Sequence, residues 1–134
     1  MRVLLLAALA ALVAAPLAAQ NFRAVNDIDV TPTSGGFAVQ GDGGTGARAM
    51  WCAAADYAFK RAGAAGADRL YIAEGRTPGI GQRAAVTFTL DPDGLTPSAV
   101  LVTGLSLRSA GANLSVGHAR SFCSNTSPSA GGSR

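Results

Sequence analysis

The residues of this chain that could perform hydrolytic chemistry are few. His118 is the only histidine and Glu74 the only glutamate, and a general base near neutral pH usually comes from such side chains. His118 and Ser121 lie three residues apart, so a helix would place both on one face. A serine nucleophile also needs an orienting carboxylate and an oxyanion hole, and no motif for either accompanies this pair. We interpret His118 as a polar surface residue and keep an enzyme that uses it as the alternative.

Two pairs of aspartates could supply the two carboxyl groups that act as acid and base in glycosidases. Asp27 and Asp29 alternate along an expected strand, which turns both toward solvent. Asp91 and Asp93 belong to an Asp-Pro-Asp-Gly sequence that is typical of a tight turn and lacks the ligand spacing of a calcium loop. We interpret both pairs as local structure and predict no metal site. A pocket that uses one of these aspartates stays within the enzyme alternative.

Residues 41–46, Gly-Asp-Gly-Gly-Thr-Gly, match the G-x-G-x-x-G pattern of dinucleotide-binding loops. Such a loop binds phosphate where a buried parallel strand leads into it and an acidic residue follows about twenty positions later. Here the preceding strand is short and ends at the polar Gln40, and Asp68 comes before its own strand instead of after it. We therefore predict a flexible glycine-rich loop and no bound cofactor.

Two cysteines, Cys52 and Cys123, are present. In an oxidising compartment such a pair predicts a structural disulfide. The alternative of a redox-active pair is less favoured because those thiols usually lie within a Cys-x-x-Cys turn. Two cysteines and one histidine also fall short of the four protein ligands of a structural zinc site.

The N-terminus has the layout of a secretory signal peptide. Arg2 supplies a positive charge, and residues 3–15 form an unbroken apolar run followed by small residues. A membrane anchor usually needs about 20 apolar residues, and this run is shorter. We predict removal of residues 1–19 by a cut after Ala19, with a cut one residue to either side left open. No cysteine for lipid attachment and no second apolar run follow, so we expect a periplasmic or secreted chain without a membrane span.

The charge pattern gives no sign of a nucleic-acid partner. The formal net charge is +3, and the basic residues are scattered along the chain instead of forming a stripe or cluster. We therefore predict that the partner is a protein or a small ligand and not a nucleic acid.

Alternation of apolar and polar residues predicts strands along most of the chain. They are expected at residues 22–30, 37–40, 69–74, 84–90 and 99–107. Apolar residues that recur every four positions from Trp51 to Phe59 predict a long helix over 47–62. Lys60 and Arg61 suit the negative C-terminal end of its dipole.

The last part of the domain is expected to return to the long helix. Residues 114–122 predict a short helix with Ser115 as its cap, which would bring Cys123 to the long helix. Residues 124–134 are small and polar and predict a disordered tail. The whole indicates one α+β domain over 20–123, an antiparallel sheet of about four to five strands with the long helix packed on one face.

The connection between the third and fourth predicted strands is our candidate contact loop. It carries Arg76, Ile80 and Arg83, two cations and an apolar residue in a segment where binding surfaces are often mounted. The alternative interpretation is that this segment is an ordinary solvated connection between two strands.

Four stretches together resemble a known group of sequences. They are Trp-Cys-Ala-Ala-Ala-Asp-Tyr-Ala from Trp51, Arg-Leu-Tyr-Ile from Arg69, Val-Thr-Phe from Val86 and Ala-Arg-Ser-Phe-Cys from Ala119. This pattern is similar to a group of small exported alphaproteobacterial proteins with a Trp-Cys helix and a late cysteine. The resemblance covers most of the mature chain and implies no activity, so no functional residue carries over from it.

These observations predict a non-enzymatic exported domain that binds an envelope protein or a small ligand through its sheet face or its loops. The chain combines a disulfide with few residues that could act as a general base or a nucleophile. The alternative is a small, hydrolase-like periplasmic enzyme that uses His118 or an aspartate in a pocket that the sequence does not reveal.

Overall fold

The computed structural model describes residues 20–42, 46–76, 84–100 and 107–126. The predicted signal peptide, Ile80, Arg83 and the chain beyond residue 126 lie outside these ranges, as does most of the predicted strand at 99–107. The described residues form an α+β unit with one mixed sheet, so the predicted fold class is confirmed at that level.

Seven strands of the described chain make a single sheet. Its order is β1-β2-β3-β5-β4-β7-β6, and every neighbouring pair is antiparallel except β6 with β7, which is parallel. The expectation of an antiparallel sheet of about four to five strands is therefore met only in part, because the sheet has seven strands and one parallel pair. β1 and β6 have two residues each, too few to produce an alternating pattern in the sequence. The strands are β1 (Phe22–Arg23), β2 (Asp29–Thr33), β3 (Gly36–Val39), β4 (Arg69–Glu74), β5 (Val86–Thr89), β6 (Ser98–Ala99) and β7 (Ala112–Ser115).

The predicted strand at 22–30 is in fact a hairpin of β1 and β2. Phe22 lies opposite Val30, and the chain reverses through a turn in which Asp27 adopts a φ of 64°. Aspartate is one of the few residues other than glycine that visit this conformation readily. Burial alternates without interruption from Phe22 through the turn to Val30, which explains why the sequence pattern resembles one long strand.

The long helix α1 (Ala47–Lys60) begins where the sequence predicts and ends two residues earlier than predicted. It is buried around almost its whole circumference, and residues 49–56 are all buried. Alanine at four of these eight positions lets the sheet and the later helices approach closely. Trp51 is the large exception, and its ring packs edge-on against Phe88 of the sheet with centroids 5.0 Å apart.

Two short helical segments complete the described fold, α2 (Val116–Ser121) and the single turn α3 (Cys123–Thr126). The predicted cap is confirmed, because Ser115 Oγ accepts a hydrogen bond from the backbone N–H of His118. Both segments pack against α1. No helix in the described ranges is long and apolar enough to cross a bilayer.

The predicted disulfide between Cys52 and Cys123 is present and joins α1 to the start of α3. The two Cα atoms are 5.0 Å apart, and 71 positions separate the residues in the sequence. Cys52 is fully buried within the core. The cross-link therefore ties the last described helical turn to the central helix of the domain.

Candidate functional site

The structure gives His118 and Ser121 separate contacts. Both are exposed on α2, and the Ser121 hydroxyl donates to the backbone carbonyl of His118 at 2.6 Å. The His118 imidazole lies against the Phe122 ring, with centroids 5.3 Å apart. The hydroxyl therefore bonds to the backbone and not to the imidazole, so this geometry does not assemble a nucleophile with its base.

The two aspartate pairs have local contacts. Asp27 and Asp29 each lie 3.3 Å from the guanidinium of Arg23, on the exposed outer surface of the hairpin. Asp91 Oδ1 accepts from the backbone N–H of Asp93 at 2.9 Å, which is the hydrogen bond of an Asx turn. These contacts agree with the interpretation of both pairs as local structure.

Asp56 is a buried carboxylate that the sequence analysis did not single out. Only 2% of its side chain is exposed, and it lies 2.8 Å from the Lys60 ammonium. Its other oxygen accepts from the backbone N–H of Val25 at 2.9 Å. Asp56 thus fastens the β1–β2 turn to α1. The one available signal was the spacing of Asp56 and Lys60, which places them on consecutive turns of a helix.

We expect Asp56→Ala to lower the free energy of unfolding by about 2 kcal/mol, because the Val25 N–H loses its acceptor in a part-buried place. The Lys60 side chain is 45% exposed and can turn to water. Asp56→Asn keeps an acceptor oxygen and should lose less. Urea denaturation followed by the fluorescence of Trp51 measures both. Equal losses in the two variants would show that the bond to Val25 contributes little.

The candidate contact loop is described only at Arg76, and its other two named residues lie outside the described ranges. The Arg76 backbone N–H donates to the carbonyl of Leu107 at 2.6 Å. Its guanidinium lies 2.9 Å from the Met50 sulfur, so the half-buried side chain extends toward α1. This end of the loop is therefore anchored to the domain, and the contact surface itself stays a prediction.

A cleft of about 280 Å³ lies between the N-terminal hairpin and the C-terminal end of α1. Its walls combine aromatic and proline rings with two amides and one guanidinium. The pairing of β1 with β2 places the hairpin side of the cleft, and the last turn of α1 places the other side. The lining residues are Gln20, Asn21, Phe22, Pro32, Tyr57 and Arg61.

The aromatic wall of the cleft is held by ring contacts. The Tyr57 ring meets Phe22 edge-on with centroids 5.5 Å apart, and lies 4.6 Å from the ring of Phe37 behind it. The Arg61 guanidinium sits over the Phe22 ring, 5.5 Å from its centroid. Such packing limits the rotation of each ring. The wall is therefore formed before any ligand enters.

Asn21 and Arg61 offer hydrogen-bond donors to the cleft. The Asn21 carbonyl oxygen accepts from the Thr31 hydroxyl at 3.0 Å, which leaves the amide nitrogen as a donor. Among the described residues, no carboxylate lies within ion-pair distance of Arg61, whereas Arg23 and Lys60 both have carboxylate partners. A guanidinium with its donors available is suited to a carboxylate or phosphate.

No local sequence pattern predicts this cleft. Arg61 suits the helix dipole, and nothing in the sequence near it connects that residue to Phe22 or Pro32. No group of three or more metal-ligating side chains occurs in the described part of the chain. Comparison with known proteins found no matching family model, no similar curated protein and no similar solved structure.

Proposed function

We propose that this chain is an exported, non-enzymatic binding domain of the cell envelope, and that its ligand is a small molecule with a negatively charged group. The observation that carries the proposal is Arg61, stacked over Phe22 at the edge of a preformed cleft without a carboxylate partner among the described residues. The ligand would place its charge against this guanidinium.

The contacts of the acid and base residues support binding over catalysis. Asp56 holds a turn, and Asp68 accepts from the backbone N–H of Ala65 at 2.7 Å. The Ser121 hydroxyl bonds to the backbone carbonyl of His118. These groups hold the folded structure together, while no carboxylate of the described chain lies within ion-pair distance of Arg61.

Export is supported by the signal-like N-terminus and by the disulfide, which is compatible with an oxidising compartment. The residues that line the cleft all lie after residue 19. A cut after Ala19 would therefore leave all six lining residues in place. The resemblance to small exported alphaproteobacterial proteins points to the same compartment.

The volume of the cleft limits the size of the ligand. At about 280 Å³ it falls just below the range of about 300 to 1,000 Å³ for ordinary small-molecule pockets. A ligand on the order of ten non-hydrogen atoms fits such a space. Tyr57 and Pro32 offer surfaces on which a flat aromatic ring or the apolar face of a sugar packs. We therefore favour a small ring compound that carries a carboxylate.

Benzoate is a simple probe of this proposal, with benzyl alcohol as its uncharged counterpart. We expect benzoate to bind with a dissociation constant on the order of 1 mM and benzyl alcohol at least about fivefold more weakly. Two-dimensional amide NMR measures both affinities and locates the site. The shifted amides should be those of residues 20–22, Tyr57 and Arg61.

Two variants decide whether Arg61 is responsible. Arg61→Gln should weaken benzoate binding about tenfold, because the ligand loses its charged partner. Arg48→Gln removes the same charge from a distant part of α1 and should leave binding unchanged. Equal binding of benzoate and benzyl alcohol, or equal losses in the two variants, would contradict an anion site in the cleft.

A further inference from the structure

A second group of arginine and aromatic side chains lies where α1 and α2 pack together. Arg48, Phe59 and His118 are exposed, Arg120 is half-buried and Phe122 is buried. The Arg120 guanidinium stacks over the Phe59 ring at 4.0 Å from its centroid, and 46% of Phe59 is exposed. Arg48 lies over the ring of Phe122 at 5.5 Å, and His118 contacts that same ring. We name these five residues the basic ridge.

Helix geometry explains why the basic ridge is continuous. Arg48 and Phe59 are eleven positions apart, which is close to three full turns, so both lie on one side of α1. Cys52 lies on that side too and is bonded to Cys123, directly after α2. The disulfide and the packing of α2 on α1 therefore bring Arg120 and Phe122 to the same side. The ridge is about 16 Å long, at 1.5 Å per helical residue.

The charge of the basic ridge is not neutralised within the described part of the chain. Neither Arg48 nor Arg120 has a carboxylate within ion-pair distance there, whereas Arg23 has two. Stacking on a ring holds the guanidinium plane and leaves its edge donors available for an anion. The cleft at Arg61 lies on another side of α1. Arg48 and Arg61 are thirteen positions apart, which is not a whole number of helical turns.

We propose that the basic ridge docks the domain on an anionic phospholipid surface. Phosphate groups complement the guanidinium edges of Arg48 and Arg120, and the exposed ring of Phe59 suits the boundary between headgroups and acyl chains. The size of the ridge favours lipid over protein. About 16 Å by the width of one helix is far less than the roughly 800 Å² that each partner buries in a stable protein complex. A fluid lipid surface needs no matching shape.

Vesicle flotation tests this proposal on the mature, oxidised domain. We expect binding to phosphatidylcholine vesicles that contain about one third phosphatidylglycerol, and none to phosphatidylcholine alone. Binding should fall as salt rises from about 0.05 to 0.5 M, because screening weakens charge attraction. Failure to bind the anionic vesicles, or equal binding to both kinds, would overturn the proposal.

Matched variants separate the ridge from net charge. Arg48→Gln with Arg120→Gln should lower partitioning about 25-fold, at about fivefold for each arginine. Arg23→Gln with Arg61→Gln removes the same charge elsewhere and should change partitioning less than about twofold. Unchanged Trp51 fluorescence checks that the variants are folded. Equal losses in the two double variants would overturn the proposal.

Polyglutamate provides the competing outcome. Binding of wild-type protein to polyglutamate together with failure on anionic vesicles would assign the ridge to an acidic protein and overturn the lipid proposal.

Phe59→Ala should weaken vesicle binding, because its ring enters the interface, and leave benzoate binding in the cleft intact. The two proposals use different arginines, so either can fail without the other.

Discussion

Removal of the Cys52–Cys123 disulfide by Cys52→Ala with Cys123→Ala is expected to lower the free energy of unfolding by roughly 4 kcal/mol. The bond spans 71 positions of sequence, so it greatly restricts the unfolded chain. A domain of this size has a total stability of about 5 to 15 kcal/mol, so at the lower limit the loss would leave about 1 kcal/mol and roughly one molecule in six unfolded. The cross-link is therefore the largest single stabilising feature that we identify.

Urea denaturation followed by Trp51 fluorescence measures this effect, because Trp51 is the only tryptophan and lies beside Cys52 in the core. The matched control is the wild-type chain under reducing conditions, which should unfold at nearly the same urea concentration as the double variant. A loss below about 1 kcal/mol would contradict the expected restriction of the unfolded chain by the bond.

The second large effect is expected at Gly36, where β3 runs close to β5. A Cβ atom at this position would overlap the carbonyl oxygen of Phe88 and lie 3.1 Å from its carbonyl carbon. These are backbone atoms of a central strand, so they cannot move without loss of sheet hydrogen bonds. We expect Gly36→Ala to cost about 3 kcal/mol or more, or to prevent folding.

Gly35 provides the matched control, since it is the preceding residue and a Cβ there meets nothing within 4 Å. Gly35→Ala should change stability by no more than about 0.5 kcal/mol. Thermal unfolding by circular dichroism compares the two variants directly. Equal stability in both would contradict the close approach of β3 to β5.

The parts of the fold that the sequence predicts well are those with a strong local pattern. The regular apolar spacing from Trp51 to Phe59 places α1 to within two residues, and clean alternation places β4 with its observed bounds. The hairpin at 22–30 was missed because burial continues to alternate through its turn. The parallel partner of β7 has two residues, and its position depends on contacts from distant parts of the chain.

The features of the candidate site also differ in whether the sequence alone predicts them. The disulfide follows from cysteine count and compartment chemistry, without any knowledge of the fold. The cleft depends on tertiary contacts, because Phe22 and Pro32 reach Tyr57 and Arg61 only when the hairpin packs beside the end of α1. No local pattern contains that information. The same holds for the stacking of Arg120 on Phe59, which the docking of α2 on α1 creates.

Native mass spectrometry of protein recovered from the envelope fraction tests the central claim most directly. Wild-type protein should begin at Gln20 and should weigh two hydrogens less than the reduced chain, because the disulfide has formed. It should also retain the small additional mass of a bound ligand, which the Arg61→Gln variant has lost. A full-length, reduced chain, or a wild-type domain that carries no more mass than the variant does, would contradict an exported domain with a ligand in the cleft.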